Sequence, residues 1–314
     1  VEPEEPGDPE DDVVPEIAPR RVTSGDVWLL GTHRLVCGNA LDAKVVDLLM
    51  DGAAARMVFS DPPYNIPIDG HVGNSGKVQH REFAMASGEM SEAEFTGFLT
   101  TAFRNLADHS LDGSIHFLCM DWRHMSEMME AGQGVYDEFK NLIVWVKDNG
   151  GMGTFYRSRH ELIFVFKVGT AAHTNSFGLG ETGRYRTNVW DYAGISSLGA
   201  ARQAELAMHP TVKPAALVAD AIRDCSRRGE TVLDVFGGSG TTLIAAELSG
   251  RRACLLEFDQ AYCDTIVTRW QAYSGKQAVL AEGGQTFEAV SEMRTGQMPP
   301  LPAEKPAKGR RRVR

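Results

Sequence analysis

Asp61-Pro62-Pro63-Tyr64 follows the apolar run Arg56-Met57-Val58-Phe59-Ser60, whose unbroken hydrophobic character reads as a buried strand. Two prolines stop that strand abruptly, because neither can donate to a sheet ladder. An acid, rigid backbone carbonyls and an aromatic ring are thereby held together at a strand tip. Such a group suits an amine on a flat ring: carboxylate and carbonyl accept its protons, and the tyrosine stacks on its plane. A turn that merely closes a strand is the plainer use of the same residues.

A second segment runs Val232-Leu233-Asp234-Val235-Phe236 into Gly237-Gly238-Ser239-Gly240-Thr241-Thr242. Strand, glycine turn and helix in that order let a ligand approach backbone closely at a helix N-terminus. A phosphate loop is excluded, since no Gly-Lys-Ser/Thr ending is present, and Leu243 stands where a dinucleotide fingerprint has its third glycine. Glu257 closes the next strand 20 residues after Gly237, where a carboxylate can take the ribose hydroxyls of an adenosine. Its alternative role is that of a solvated strand-end acid.

Gly183 to Tyr192 interleaves arginines with aromatics and amides, the composition of a nucleic-acid contact surface. Arg184 and Arg186 are either phosphate clamps, base readers or surface charges. Asn65 contacts either a base edge or only the turn that carries it. His71, Lys77, His80 and Arg81 make the loop after Asn65 a second contact candidate, suited to a lid.

Positioning these groups falls to alternating apolar runs and amphipathic stretches, the pattern of a parallel sheet flanked by helices. Strands are expected at 33–37, 56–60, 114–120, 142–146, 160–166, 231–236 and 252–257. Helices are expected at 43–50, 91–106, 121–131, 214–227, 242–249 and 261–273. Residues 65–90 and 173–208 fit neither pattern, and loops of that length in a compact domain are normally functional or disordered.

A chain of 314 residues with 43% apolar content can bury a full core. Its net charge of −10 argues against a nucleic-acid partner until it is divided along the chain. Residues 1–19 hold eight acids and no Lys or Arg, so 1–22 reads as a disordered acidic linker. Residues 305–314 hold six bases and no acid, either a solvated tail or a polyanion contact. The five cysteines show neither a CxxC pair nor zinc-ligand spacing with histidine, so no metal is expected and a reducing, cytoplasmic setting fits. No apolar stretch approaches membrane-spanning length.

Taken together, Asp61 to Tyr64, Phe236 to Gly240 and His209-Pro210-Thr211-Val212-Lys213-Pro214 resemble the amino-group DNA methyltransferases over about residues 25–275. The order of motifs, catalytic segment first and glycine loop last, is similar to the permuted beta group, which methylates adenine N6 or cytosine N4. Gly25 to Gly31 and His33 to Gly38 also resemble a prophage type in which a ParB-like domain precedes the methylase.

That resemblance implies a three-layer Rossmann-like α/β fold with a mixed seven-stranded sheet and target-recognition segments inserted near 65–90 and 173–208. It implies a methyltransferase domain at 23–275 followed by an extension with a basic tail at 276–314. S-adenosyl-L-methionine is the implied cofactor and double-stranded DNA the partner, in a bacterial or phage-encoded restriction-modification setting. A homodimer and an upstream ParB-like domain are further implied partners. The implied catalytic residues are Asp61, Pro62, Pro63 and Tyr64. Those for the cofactor are Asn39, His209, Lys213, Asp234, Phe236, Gly237, Gly238, Ser239, Gly240, Thr241 and Glu257. DNA falls to Asn65, Arg184 and Arg186. Asn39 departs from the family, which usually has Asp there, and cofactor affinity is what this change affects. Asp rather than Ser at position 61 favours adenine N6, at a base flipped out of the duplex and methylated by direct displacement. Cytosine N4 and a catalytically silent DNA-binding remnant are the alternatives.

Overall fold

The protein is described by a computed structural model covering residues 9–14, 21–66, 86–148, 150, 155–178, 185–194 and 212–296. All seven expected strands form: β2 (His33–Cys37), β3 (Ala55–Ser60), β4 (Ser110–Met120), β5 (Glu138–Val146), β6 (His160–Lys167), β8 (Thr231–Asp234) and β9 (Arg252–Glu257). Three short strands join them: β1 (Val27–Leu30), β7 (Val189–Asp191) and β10 (Val279–Leu280). The expected seven-stranded sheet is thus a ten-stranded one among the described residues. The additional strands lie at its two edges and have four, three and two residues, too few to show a period of their own.

Strand order is β10-β1-β2-β9-β8-β3-β4-β6-β5-β7. Strands β2, β9, β8, β3 and β4 run parallel to one another, while β1 is antiparallel to β2 and β6 runs antiparallel between β4 and β5. The central strands are largely apolar, with their polar residues mostly at the ends, because both faces are covered. On one face α1 (Ala43–Met50), α2 (Glu92–Asp108) and α3 (Met125–Gln133) bury Leu49, Phe95, Phe103 and Met128. On the other, α4 (Ala215–Cys225), α5 (Thr241–Ser249), α6 (Gln260–Ser274) and α7 (Phe287–Thr295) bury Leu217, Leu243, Ile266 and Phe287. This is the expected three-layer α/β arrangement.

Helix starts follow local chemistry. Ser91 and Glu94 form a reciprocal capping box at α2, and Asp259 accepts the Ala261 N–H at α6. Pro214 flanks α4 without a side-chain cap, and Asp12 supplies one from far away, accepting the Ala215 N–H at 2.7 Å.

Both expected chain ends need correction. Residues 9–14 are docked rather than a disordered linker: Val14 is buried, Asp12 caps α4, and the Asp11 carbonyl accepts from Arg269 at 2.8 Å. The Arg21 and Val22 N–H groups donate to the buried Asp264 carboxylate. Nor is 275 a boundary, because β10 pairs with β1 and Phe287 packs edge-on to Trp28 with ring centroids 5.2 Å apart. Long-range hydrogen bonds at the N-terminal side and sheet-edge packing at the C-terminal side hold what composition alone reads as extensions.

Strands β3 and β8 are neighbours, with Met57 opposite Val232 and Val58 opposite Leu233. From this pair the sheet continues in one direction through β9 and in the other through β4. The carboxyl ends of β3 and β8 therefore meet where the winding reverses, the usual ligand crevice of an open α/β sheet.

Candidate active site

Asp61 follows the last residue of β3, and both of its carboxylate oxygens are engaged. Tyr64 donates its hydroxyl to Oδ1 at 2.7 Å, and Lys213, just ahead of α4, donates Nζ to Oδ2 at 2.5 Å. The same ammonium reaches Glu161 Oε2 at 3.0 Å and the Tyr64 hydroxyl at 3.1 Å. Glu161, the second residue of β6, also accepts from Lys147, whose ammonium lies 4.6 Å from the Trp145 ring centre. Two acids and two bases thus alternate at the carboxyl edge of the sheet. Burial raises the Asp61 carboxyl above its ordinary range, against the pull of Lys213 and with repulsion from Glu161. Burial works the same way on Glu161, but Lys213 and Lys147 overcome it and hold that carboxyl at about 2. Lys213 stays charged, since the two carboxylates outweigh its burial.

Across the switch point, Gly237 to Gly240 turns from β8 into α5. Gly238 and Gly240 have φ of +50° and +84°, a region costly for other residues. A Cβ at Gly240 would come within 3.1 Å of Ile266, whereas one at Gly238 would meet only the Phe236 carbonyl at 4.0 Å; the loop faces open space there. Asp234 is buried and turned inward, accepting from Ser60 Oγ, Thr242 Oγ1 and the Phe236 N–H. It locks the β8 turn to the end of β3, and burial pushes its carboxyl up to about 6. Arg269, fully inside, donates to the Ser239 carbonyl at 3.0 Å and lies 3.3 Å from Thr241 Oγ1. Phe236 packs its ring against Phe98. Glu257 caps the crevice: it accepts the Gly238 N–H at 2.7 Å and the Asp259 N–H at 2.8 Å, and burial raises it to about 7. Asn39 stands at the tip of β2, parallel to β9, with Oδ1 accepting the Leu41 N–H.

Three expectations change. Lys213, grouped with the cofactor residues, instead lies on Asp61, because the entry into α4 crosses the tip of β3. Asn65 is turned into the protein: it is buried at φ +52°, donates to the Met90 carbonyl and accepts from the Gly88 and Met90 N–H groups. Its amide is consumed in closing the base of the 66–86 connection. Arg186 is only 12% exposed, donating to Asp224 at 3.1 Å and lying 3.8 Å from Asp220, with its guanidinium 4.5 Å from the Trp190 ring centre. Two acids and an aromatic face take up most of this guanidinium, its Nη2 alone having no hydrogen-bond partner among the described residues. Arg184, His209 and the basic tail lie outside the described residues, as do His71, Lys77, His80 and Arg81.

Residues 55–268 match the family model for N6/N4 DNA methylases. The chain belongs to the DNA methylase family. This methylase is 25% identical over 255 residues to the type II methyltransferase M.HpaI of Haemophilus parainfluenzae, spanning 76% of the chain and 74% of that relative. It is 33% identical over 90 residues to the type II methyltransferase M.ScaI of Streptomyces caespitosus, 29% and 30% of the two chains. Among solved structures, the M1.HpyAVI–SAM complex matches with a TM-score of 0.51 at 17% identity, over 75% of this chain and 98% of that one. The PvuII DNA methyltransferase, cytosine-N4-specific, matches at 0.54 with 13% identity, over 82% and 96%. The expected Rossmann-like methyltransferase architecture is thereby confirmed.

Glu161, Lys147 and Arg269 are missing from the residues singled out in the methylase's sequence. Glu161 opens an apolar strand, where an acid reads as a polar end, and a buried arginine within an amphipathic helix carries no local sign of what it holds. Phe155 and Tyr156, 86% and 79% exposed and packed edge-on to each other, sit in the β5–β6 connection at the same edge as Asp61.

Proposed function

We propose that this methylase transfers the methyl of S-adenosyl-L-methionine to adenine N6 of a base flipped out of double-stranded DNA. The observation that carries the reading is Asp61, a full carboxylate just beyond β3, which pairs with β8, the strand that leads into the glycine loop. An Asp at this position is the feature by which the resemblance separates adenine from cytosine enzymes.

The residues present suit the cofactor. Glu257 offers carboxylate oxygens for ribose hydroxyls, Asn39 an amide at the adjacent strand tip, and Gly238 a face open to a ligand. When bound, S-adenosyl-L-methionine supplies a methyl activated by a positive sulfonium. The remaining work is done by the chain. An exocyclic amine has its lone pair delocalised into the base; Asp61 and the Pro62 carbonyl each accept a hydrogen bond from one amine N–H, drawing the nitrogen toward tetrahedral geometry so that its lone pair is exposed, and the proton that the methylated nitrogen sheds passes to Asp61. Two prolines fix both acceptors before the base arrives, and positioning of this kind can supply about 7–11 kcal/mol. Flipping the base costs a few kcal/mol. Stacking on Tyr64 offsets part of this, at roughly 1–3 kcal/mol per aromatic face. The exposed Phe155 and Tyr156 offer further aromatic surface to DNA at the same edge.

Asp61→Ala is expected to lower methyl transfer at least about 100-fold while cofactor affinity stays within a few-fold. Transfer of radiolabelled methyl to duplex DNA, read beside calorimetric binding of the cofactor, tests this. Parallel loss of cofactor affinity would assign the carboxylate to the wrong ligand.

A further inference from the structure

We propose that Glu161 is a positioning residue that takes Lys213 over from Asp61 when the substrate amine arrives. The inference rests on Asp61 being the amine acceptor. In the structure neither oxygen of Asp61 is free, Oδ1 being held by Tyr64 and Oδ2 by Lys213. An amine N–H must displace one of them. Lys213 is only 4% exposed, so an ammonium leaving Asp61 has no water to receive it, and a buried charge without a partner is strongly disfavoured.

Glu161 supplies that partner. Its Oε2 already lies 3.0 Å from Lys213 Nζ, so the ammonium can give up one carboxylate while keeping the other. The acceptor is itself held in place. Glu161 lies on β6 in register with Trp145 of β5, and its second oxygen is held by Lys147. Asp61, Lys213, Glu161 and Lys147 carry two charges of each sign, so the shift moves no net charge through the low-dielectric interior. Among the described residues, the other titratable groups acting on the cluster are the Tyr64 hydroxyl and the Cys119 thiol, both pushed up by burial and therefore neutral, and Asp234, raised to about 6 by burial, whose repulsion of Asp61 is the same in every variant. Without the Glu161 charge, Lys213 has one carboxylate left and stays on Asp61.

The test is single-turnover methyl transfer to duplex DNA across pH, with cofactor binding measured alongside, for wild type, Glu161→Gln and Glu161→Asp. Glu161→Gln keeps the shape and removes the charge. It is expected to slow transfer at least about tenfold and to move the acid limb of the rate profile to lower pH, because Asp61 loses a repelling neighbour and keeps its ammonium. Cofactor affinity should stay within about threefold, a fraction of one tenfold step. Glu161→Asp, which keeps the charge but withdraws it by one methylene, should fall between wild type and Gln; it carries the test should the Gln variant not fold. Wild-type rates in a folded variant, or a slowed rate with an unmoved acid limb, would overturn the proposal. Failure of the underlying reading would look different: Asp61→Ala would then transfer methyl normally.

Discussion

Lys213 Nζ comes within 2.5 Å of Asp61 Oδ2 although 152 residues separate them in the chain. The contact exists because α4 begins against the tip of β3, on the face opposite α1 to α3. It joins the two halves of the chain at one carboxylate, while Ser60 and Asp234 join them one residue earlier at 2.8 Å.

Asp12 anchors that arrangement from the N-terminal side through the Ala215 N–H. Asp12→Ala should lower unfolding stability by about 0.5–2 kcal/mol, the scale of a lost helix cap. Chemical denaturation would show it as a lower midpoint with an unchanged slope. An unchanged midpoint would mean that the docked 9–14 segment adds nothing to α4.

Arg186→Met should destabilise the fold rather than weaken DNA binding. Removing the guanidinium breaks its pair with the buried Asp224 carboxylate, while Asp220 keeps Arg223 at 3.2 Å; breaking a buried pair costs about 3–5 kcal/mol. Denaturation measures the loss, and titration of the folded variant with duplex DNA should give wild-type affinity and salt dependence. A reduced salt slope with intact stability would restore Arg186 as a phosphate contact.

Cofactor binding should depend on pH through Glu257. Its carboxyl sits at about 7 in the ligand-free protein, raised by burial, so it is largely protonated below that pH and ionised above. Ribose hydroxyls need the ionised acceptor, hence affinity should rise about tenfold from pH 6 to pH 8. Calorimetry on the wild type and Glu257→Gln checks this, the variant binding weakly with no pH dependence. A pH-independent wild type would remove the Glu257 charge from recognition.

How far the sequence alone reaches depends on the range of the interaction. Strands such as β3 and β9 are apolar over their own length, and Asp61 is marked by the two prolines behind it, so both are legible locally. The edge strands β7 and β10 are not, because their neighbours rather than their residues decide that they pair. Arg186 among aromatics has the composition of a nucleic-acid surface whether its partner is a phosphate or Asp224; only the position of α4 distinguishes the two. Glu161 and Lys213 stand 52 residues apart and acquire meaning only from their meeting at Asp61. Asn65 reads from the sequence as a base-edge contact or a turn residue, and its three bonds to residues 88 and 90 are invisible there because they span more than twenty positions.

The central claim is a full carboxylate acting on the amine of adenine. Incubating the protein with labelled S-adenosyl-L-methionine and mixed-sequence duplex DNA, then resolving the product nucleosides, measures it directly. N6-methyladenine in the wild type and none with Asp61→Ala is the predicted result. N4-methylcytosine as the sole product would contradict the adenine assignment, and no methylated nucleoside of either kind would contradict the activity itself.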